Sequence, residues 1–152
     1  MAVSGNSAKP LTARTLTVNG TSTWDGTVVI SMSHNANLNI GPAGSANIIS
    51  DIDFGYCCGT MPNFNVEGTF AKTAGAGSPV IAIPFTNRGE VAVRSGTVHF
   101  TNPYSQTAGT LTLDGGSVRA DQGLDIQGGS VSGSGPITGN VTNGGEVGPG
   151  GS

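Results

Sequence analysis

A chain of 152 residues, 36% of them hydrophobic, is long enough for one domain with a continuous core and apolar enough to fold. Charged residues are 10%, against about 25% in an average soluble domain, and Gly accounts for 26 positions. With a formal net charge of −3 there is no electrostatic case for nucleic acid or an anionic membrane as partner, and no apolar run approaches the roughly 18 residues of a spanning helix.

Residues 1–10, Met1 to Pro10, lack the basic and then apolar pattern of a secretory signal and read as a trimmed or flexible lead. Two alternating runs follow, Leu16-Thr17-Val18 and Thr27-Val28-Val29-Ile30, with the turn pairs Asn19-Gly20 and Asp25-Gly26 between them. Trp24, between those turns, is expected in the core or over the first coil; the alternative is a platform for stacking a sugar. Leu38-Asn39-Ile40 and Ala46-Asn47-Ile48-Ile49 read as short strands around the Gly41-Pro42-Ala43-Gly44 turn. The polar residues His34, Asn35 and Asn37 are expected to satisfy turn backbone rather than bind a ligand.

The segment at about 51–61 breaks the pattern, because it holds both cysteines, two acids and two aromatics, and it reads as an irregular loop or wide bend. Adjacent Cys57 and Cys58 are expected as thiols or as a vicinal disulfide; two cysteines make no disulfide framework, and with distant histidines they make no zinc signature. Asp51, Asp53 and Tyr56 make the segment the candidate surface-binding loop.

Strands resume as Phe64-Asn65-Val66, Thr69-Phe70, Val80-Ile81-Ala82-Ile83, Phe85, Val91-Ala92-Val93 and Val98-His99-Phe100. Ala71 to Pro79 is the longest low-complexity turn, and Pro79 and Pro84 mark the ends of the strand between them, since Pro cannot donate to a ladder. His99 alternates with Val98 and Phe100, so it is expected to point outward into solvent.

From Val98 to Val147 the apolar residues recur at a 13-residue interval: Val98, Leu111, Leu124 and Ile137 form one series, and Phe100, Leu113 and Ile126 another. Each doublet, such as Leu111/Leu113, has the two-residue alternation of a short strand with one buried face, and the Gly-Gly pairs after Leu113 and Ile126 turn the chain. Short strands, regular bends and repeated apolar positions predict an all-β fold, a parallel β-helix or β-solenoid, as a single elongated domain over residues 11–152 with right-handed coiling. Like residues then stack at about 4.8 Å per coil. Thirteen residues are few for a full coil, so the repeat is either a narrow coil or part of a wider one.

Phe64 to Phe70 with Lys72, Ile83 to Val98, Tyr104 to Leu111 and Ser134 to Asn143 resemble a recurrent Gly/Thr/Asn-rich module of large secreted or surface-attached bacterial proteins, the β-helix stalks of autotransporter-type and filamentous-haemagglutinin-type adhesins. The resemblance covers roughly residues 62–150 and more loosely 15–50. It implies an extracellular, elongated, passive scaffold and carries no catalytic residue; the 51–61 segment with Cys57-Cys58 departs from it, and no membrane-anchoring barrel is present.

The leading functional expectation is therefore a structural or adhesive extracellular segment, with a surface glycan or matrix ligand and self-association as its partners, and without catalysis, cofactor or metal. Gly145 to Ser152 end inside a turn, so the chain is expected to be a fragment of a longer protein or to be capped by other chains, as in a trimeric fibre. A carbohydrate-active β-helix enzyme would draw on Asp51, Asp53, Asp114 or Asp125, but at the 13-residue interval Asp114 falls on Gln127 and Asp125 on Thr112, leaving no acidic row. Ice binding would need a flat Thr array; Thr15/Thr17, Thr21/Thr23 and Thr110/Thr112 are suitable pairs, yet one interval after the last pair stand Gly123 and Asp125.

Overall fold

A computed structural model describes residues 1–150; the last two residues of the expected solenoid lie outside the described residues. Within them every strand pair is parallel, and the strands stack into three sheets around a single core, giving about seven turns of a three-sided β-solenoid. Sheet one holds Ala2–Val3, Thr21–Trp24, Ser45–Ile48, Thr69–Lys72, Glu90–Val93, Thr110–Leu113, Ser130–Gly133 and Glu146–Pro149. Sheet two holds Lys9–Thr12, Val29–Ser33, Asp53–Tyr56, Val80–Ile81, Thr97–Phe100, Ser117–Ala120 and Ile137–Thr138. Sheet three holds Thr15–Val18, Asn37–Ile40, Asn63–Val66, Phe85–Asn87, Tyr104–Gln106, Leu124–Ile126 and Val141–Asn143.

The wider coil is the one the chain adopts. Leu111 pairs with Val91 on one side and Val131 on the other, each twenty residues away. Thirteen residues carry the chain along two of the three sides, so Val98, Leu111, Leu124 and Ile137 sit on sheets two, one, three and two, and successive members do not stack. The interval arises because every strand, whichever sheet it joins, points its apolar residues inward at the same two-residue alternation.

Two further departures concern the first half. Asp53–Tyr56, inside the expected loop, is a strand of sheet two whose Phe54 is buried between Ile30 and Ile81, so the loop proper begins at Cys57. Thr21–Trp24, between the two turn pairs, is a strand of sheet one, and Trp24 lies in the core as expected, against Phe54 with ring centroids 5.7 Å apart. Residues 1–10, set apart on sequence grounds as a lead, contribute Ala2–Val3 and the start of Lys9–Thr12.

Aromatic rings fill the middle turns. Phe64, Phe85 and Tyr104 occupy one inward row of sheet three, and Phe54, Phe70 and Phe100 meet them from the other two sheets at centroid distances of 5.0–5.8 Å. Such tilted and edge contacts add to the hydrophobic gain of removing each ring from water.

One corner is marked by glycine. Gly20, Gly44, Gly68, Gly89, Gly109, Gly129 and Gly145 each directly precede a strand of sheet one, a single glycine per turn. The carbonyls of the first six accept hydrogen bonds from Ser45, Thr69, Glu90, Thr110, Ser130 and Glu146 of the following turn at 2.8–3.1 Å. A Cβ at Gly89 or Gly109 would run into the carbonyl of the glycine one turn earlier, so the coils approach this closely there because these two positions have no side chain.

Candidate functional site

Polar side chains with unusual surroundings fall into four groups, each placed by the alternation of its strand. The first centres on Lys72. Phe70 and Lys72 are alternate residues of Thr69–Lys72, so with Phe70 in the core Lys72 also points inward, and its side chain is fully buried. Its ammonium donates to Asp51 Oδ1 at 2.8 Å, to the Ala74 and Gly75 carbonyls at 2.7 and 2.9 Å, and to the Ser50 carbonyl at 3.3 Å. Asp51 Oδ2 also accepts the Gly77 amide at 3.1 Å. A buried ammonium surrounded by acceptors in this way is compensated for its lost hydration, and it pins the 73–79 turn to the preceding coil.

The second group is a buried polar row. Asn87 and Gln106 are paired neighbours on the inner side of sheet three, where the turns before and after carry Val66 and Ile126. Asn87 Nδ2 donates to Gln106 Oε1 at 3.1 Å, to Tyr104 Oη at 3.2 Å and to the Thr110 carbonyl at 2.9 Å, while its Oδ1 accepts the Gly89 amide at 3.0 Å. Tyr104 Oη donates to Gln106 Oε1 at 3.0 Å, and Gln106 Nε2 reaches the Gly128 and Ser130 carbonyls at 3.2 and 3.0 Å. Burial pushes the Tyr104 phenol well above its ordinary 10.0, against a smaller lowering by Asn87. Among the described residues no buried side-chain nitrogen or oxygen lacks a partner.

The third group lies on the outer face of sheet two. His99 does point outward, but it is not alone: its Nε2 lies 2.9 Å from Asp121 Oδ2, and Arg119 Nε donates to Asp121 Oδ1 at 3.0 Å. His99, then Arg119, hold the Asp121 carboxyl below the ordinary 3.8. The fourth is the 57–62 loop, where Cys57 and Cys58 stand as exposed thiols with their Sγ atoms 2.7 Å apart. The hydrogen bond between the two thiols is the first cause of a raised Cys58 pKa. His34 and Asn35 adopt positive φ beneath this loop, and their main-chain amides donate to the Cys58 and Thr60 carbonyls; of the three polar side chains expected to satisfy turn backbone, Asn37 does so, its Nδ2 donating to the Asn35 carbonyl at 3.0 Å.

The expected surface-binding residues are engaged elsewhere in the frame. Asp51 holds Lys72, Asp53 Oδ1 accepts the Val80 amide at 2.7 Å, and Tyr56 Oη donates to the Gly59 carbonyl. Asp114 follows a strand of sheet one, whereas Asp125 is on the outer face of sheet three, bonded to Gln127 at 2.7 Å. The four acids are thus not gathered. In the observed register Asp125 stacks on Ser105 and Thr142, not on Thr112, and Thr110/Thr112 stack on Ser130/Ser132, not on Gly123 and Asp125. Among the described residues no three His, Cys, Asp or Glu side chains cluster as an ion site, and no helix is long and apolar enough to cross a membrane.

Lys72, Asn87 and Gln106 were not singled out by sequence reasoning, although each follows an aromatic by two residues (Phe70, Phe85, Tyr104) and so shares its inward face.

The chain is a β-solenoid repeat module by its fold. Comparison with protein-family models, with curated proteins and with solved structures yields no match.

Proposed function

We propose that the chain is a structural or adhesive segment of an extracellular protein, a stiff β-solenoid of the kind used as stalks by autotransporter-type and filamentous-haemagglutinin-type adhesins. The observation that carries this reading is the register: all three sheets continue through about seven turns, so the backbone hydrogen bonds run along one axis. At about 4.8 Å per turn they stack to roughly 30 Å. The outward rows support it as well, being mostly Thr, Ser and Asn. Ser22, Lys72, Asn87 and Gln106, buried polar residues, are bonded to the frame itself.

The test combines light scattering with small-angle X-ray scattering, followed by arrays of glycans and matrix proteins. A monomer at the 15.0 kDa chain mass whose scattering profile is that of the stacked coils is the expected result; a profile that the stacked coils do not reproduce refutes it. A fibre subunit is the second reading, favoured by Val141 and Val147, 43% and 49% exposed on the last described turn. It requires a discrete trimer in the same experiment.

A further inference from the structure

The outward row of sheet three is where hydrogen-bonding capacity is left over. Thr17, Asn39, Asn65 and Thr86 follow one another in register over four successive turns, at about 4.8 Å per rung. Asn65 Nδ2 donates to Asn39 Oδ1 at 2.9 Å, which sets the two carboxamides edge to edge. Both N–H groups of Asn39 and the Oδ1 of Asn65 remain unused, and the Thr17 and Thr86 hydroxyls have no side-chain hydrogen bond among the described residues.

This row lines an open groove of about 420 Å³ whose rim is the neighbouring corner. Glu67 and Arg88 stand there on consecutive turns with opposite charge, and Pro42 supplies an exposed apolar ring. Arg88 Nε is bonded to Thr107 Oγ1 at 3.2 Å, which leaves the other guanidinium N–H groups free.

We infer that this groove binds a linear, uncharged polysaccharide lying along the solenoid axis. The inference rests on the adhesive form of the function proposed above. A ligand that serves every rung must repeat along the axis and must both donate and accept at each step, as hydroxyl groups do. Carboxamides, Thr hydroxyls, a carboxylate and a guanidinium are matched to such groups. The opposed charges of Glu67 and Arg88 favour neither a polyanion nor a polycation. An extended peptide is a poor occupant, because it is recognised through free strand edges, and here the backbone groups of the middle turns are already paired with the turns on either side.

The experiment is titration calorimetry of the protein with cellohexaose, chitohexaose and mannohexaose, with a heparin hexasaccharide as the charged competitor. At least one neutral hexasaccharide is expected to bind, with affinity falling about tenfold or more in the Asn39→Ala/Asn65→Ala double variant, as expected when several hydrogen bonds are lost. Thr86→Arg, which fills the groove, should do the same. Thr112→Arg, on the outer face of sheet one, should bind as the parent does. Circular dichroism and melting of each variant check that the fold is retained. Binding that survives both groove variants overturns the groove while leaving the adhesive reading standing; preference for heparin overturns it too. Absence of binding by all three neutral probes, with a monomer in scattering whose profile is that of the stacked coils, overturns the groove and leaves only the structural form of the function.

Discussion

Replacing Lys72 by Met keeps a flexible apolar stem of similar reach in the core but removes the ammonium, and so separates the packing of this side chain from its charge. Four acceptors then lose their donor: Asp51 Oδ1 and the carbonyls of Ser50, Ala74 and Gly75. The Asp51 side chain is 38% exposed, so water screens that pair and its share is about 1 kcal/mol or less. The three carbonyl bonds are partly buried, and a hydrogen bond from a charged donor contributes about 1.5–3 kcal/mol, not additively. Lys72→Met is therefore expected to lower the unfolding free energy by about 3 kcal/mol, and Asp51→Asn by about 1. For a chain of this size the first corresponds to roughly 6–12 °C in Tm. Thermal and urea unfolding give the totals; hydrogen exchange at the Gly77 and Thr97 amides, bonded to Asp51 Oδ2 and to the Gly77 carbonyl, reports whether the 73–79 turn opens first. Equal losses in the two variants would refute the reasoning, because the ion pair and not the carbonyl cradle would then hold the turn. A Met variant as stable as the parent would refute it more completely.

Gly109→Ala should cost more than about 2 kcal/mol, since φ is +75° and a Cβ meets the Gly89 carbonyl. Gly20→Ala, in the same row but with nothing within 4 Å, should stay within about 0.5 kcal/mol by the same melts. Tyr104 ionises only when exposed, so an absorbance titration should show one of the two tyrosines released together with unfolding. Because its folded pKa is raised, the protection is complete below the unfolded value near 10 and is lost as pH rises above it. Asp121 should titrate by NMR below 3.8, and His99→Ala should move it back up; its pKa being depressed in the fold, whatever stability it gives is lost as pH falls.

The fold class was legible in the sequence because strand alternation and glycine bends are local signals. The coil size was not, because inward apolar residues recur at every strand, and a step of two sides looks as regular as a step of three. The glycines of the sheet-one corner carry the true period, yet they are hidden among the other glycines of the chain. Phe54 reads as loop in the sequence because Asp53, Gly55 and the adjacent cysteines mask its place between Ile30 and Ile81. Lys72 falls within a low-complexity turn in the sequence, where lysine signals solvent; only its spacing from Phe70 points inward. The groove residues Asn39 and Asn65 are 26 positions apart and become neighbours only through the register.

The glycine corner also bears on how such a chain tolerates change. Its glycines are 24, 24, 21, 20, 20 and 16 residues apart, yet they remain in line. Each therefore acts as a reset point: residues gained or lost along one side are absorbed before the next glycine, and the error does not travel to later turns. A turn that slipped would instead bring a side chain onto a neighbouring carbonyl where only hydrogen fits. Lineages built on this plan can lengthen, shorten or decorate single coils one at a time, and the stack beyond each change keeps its phase.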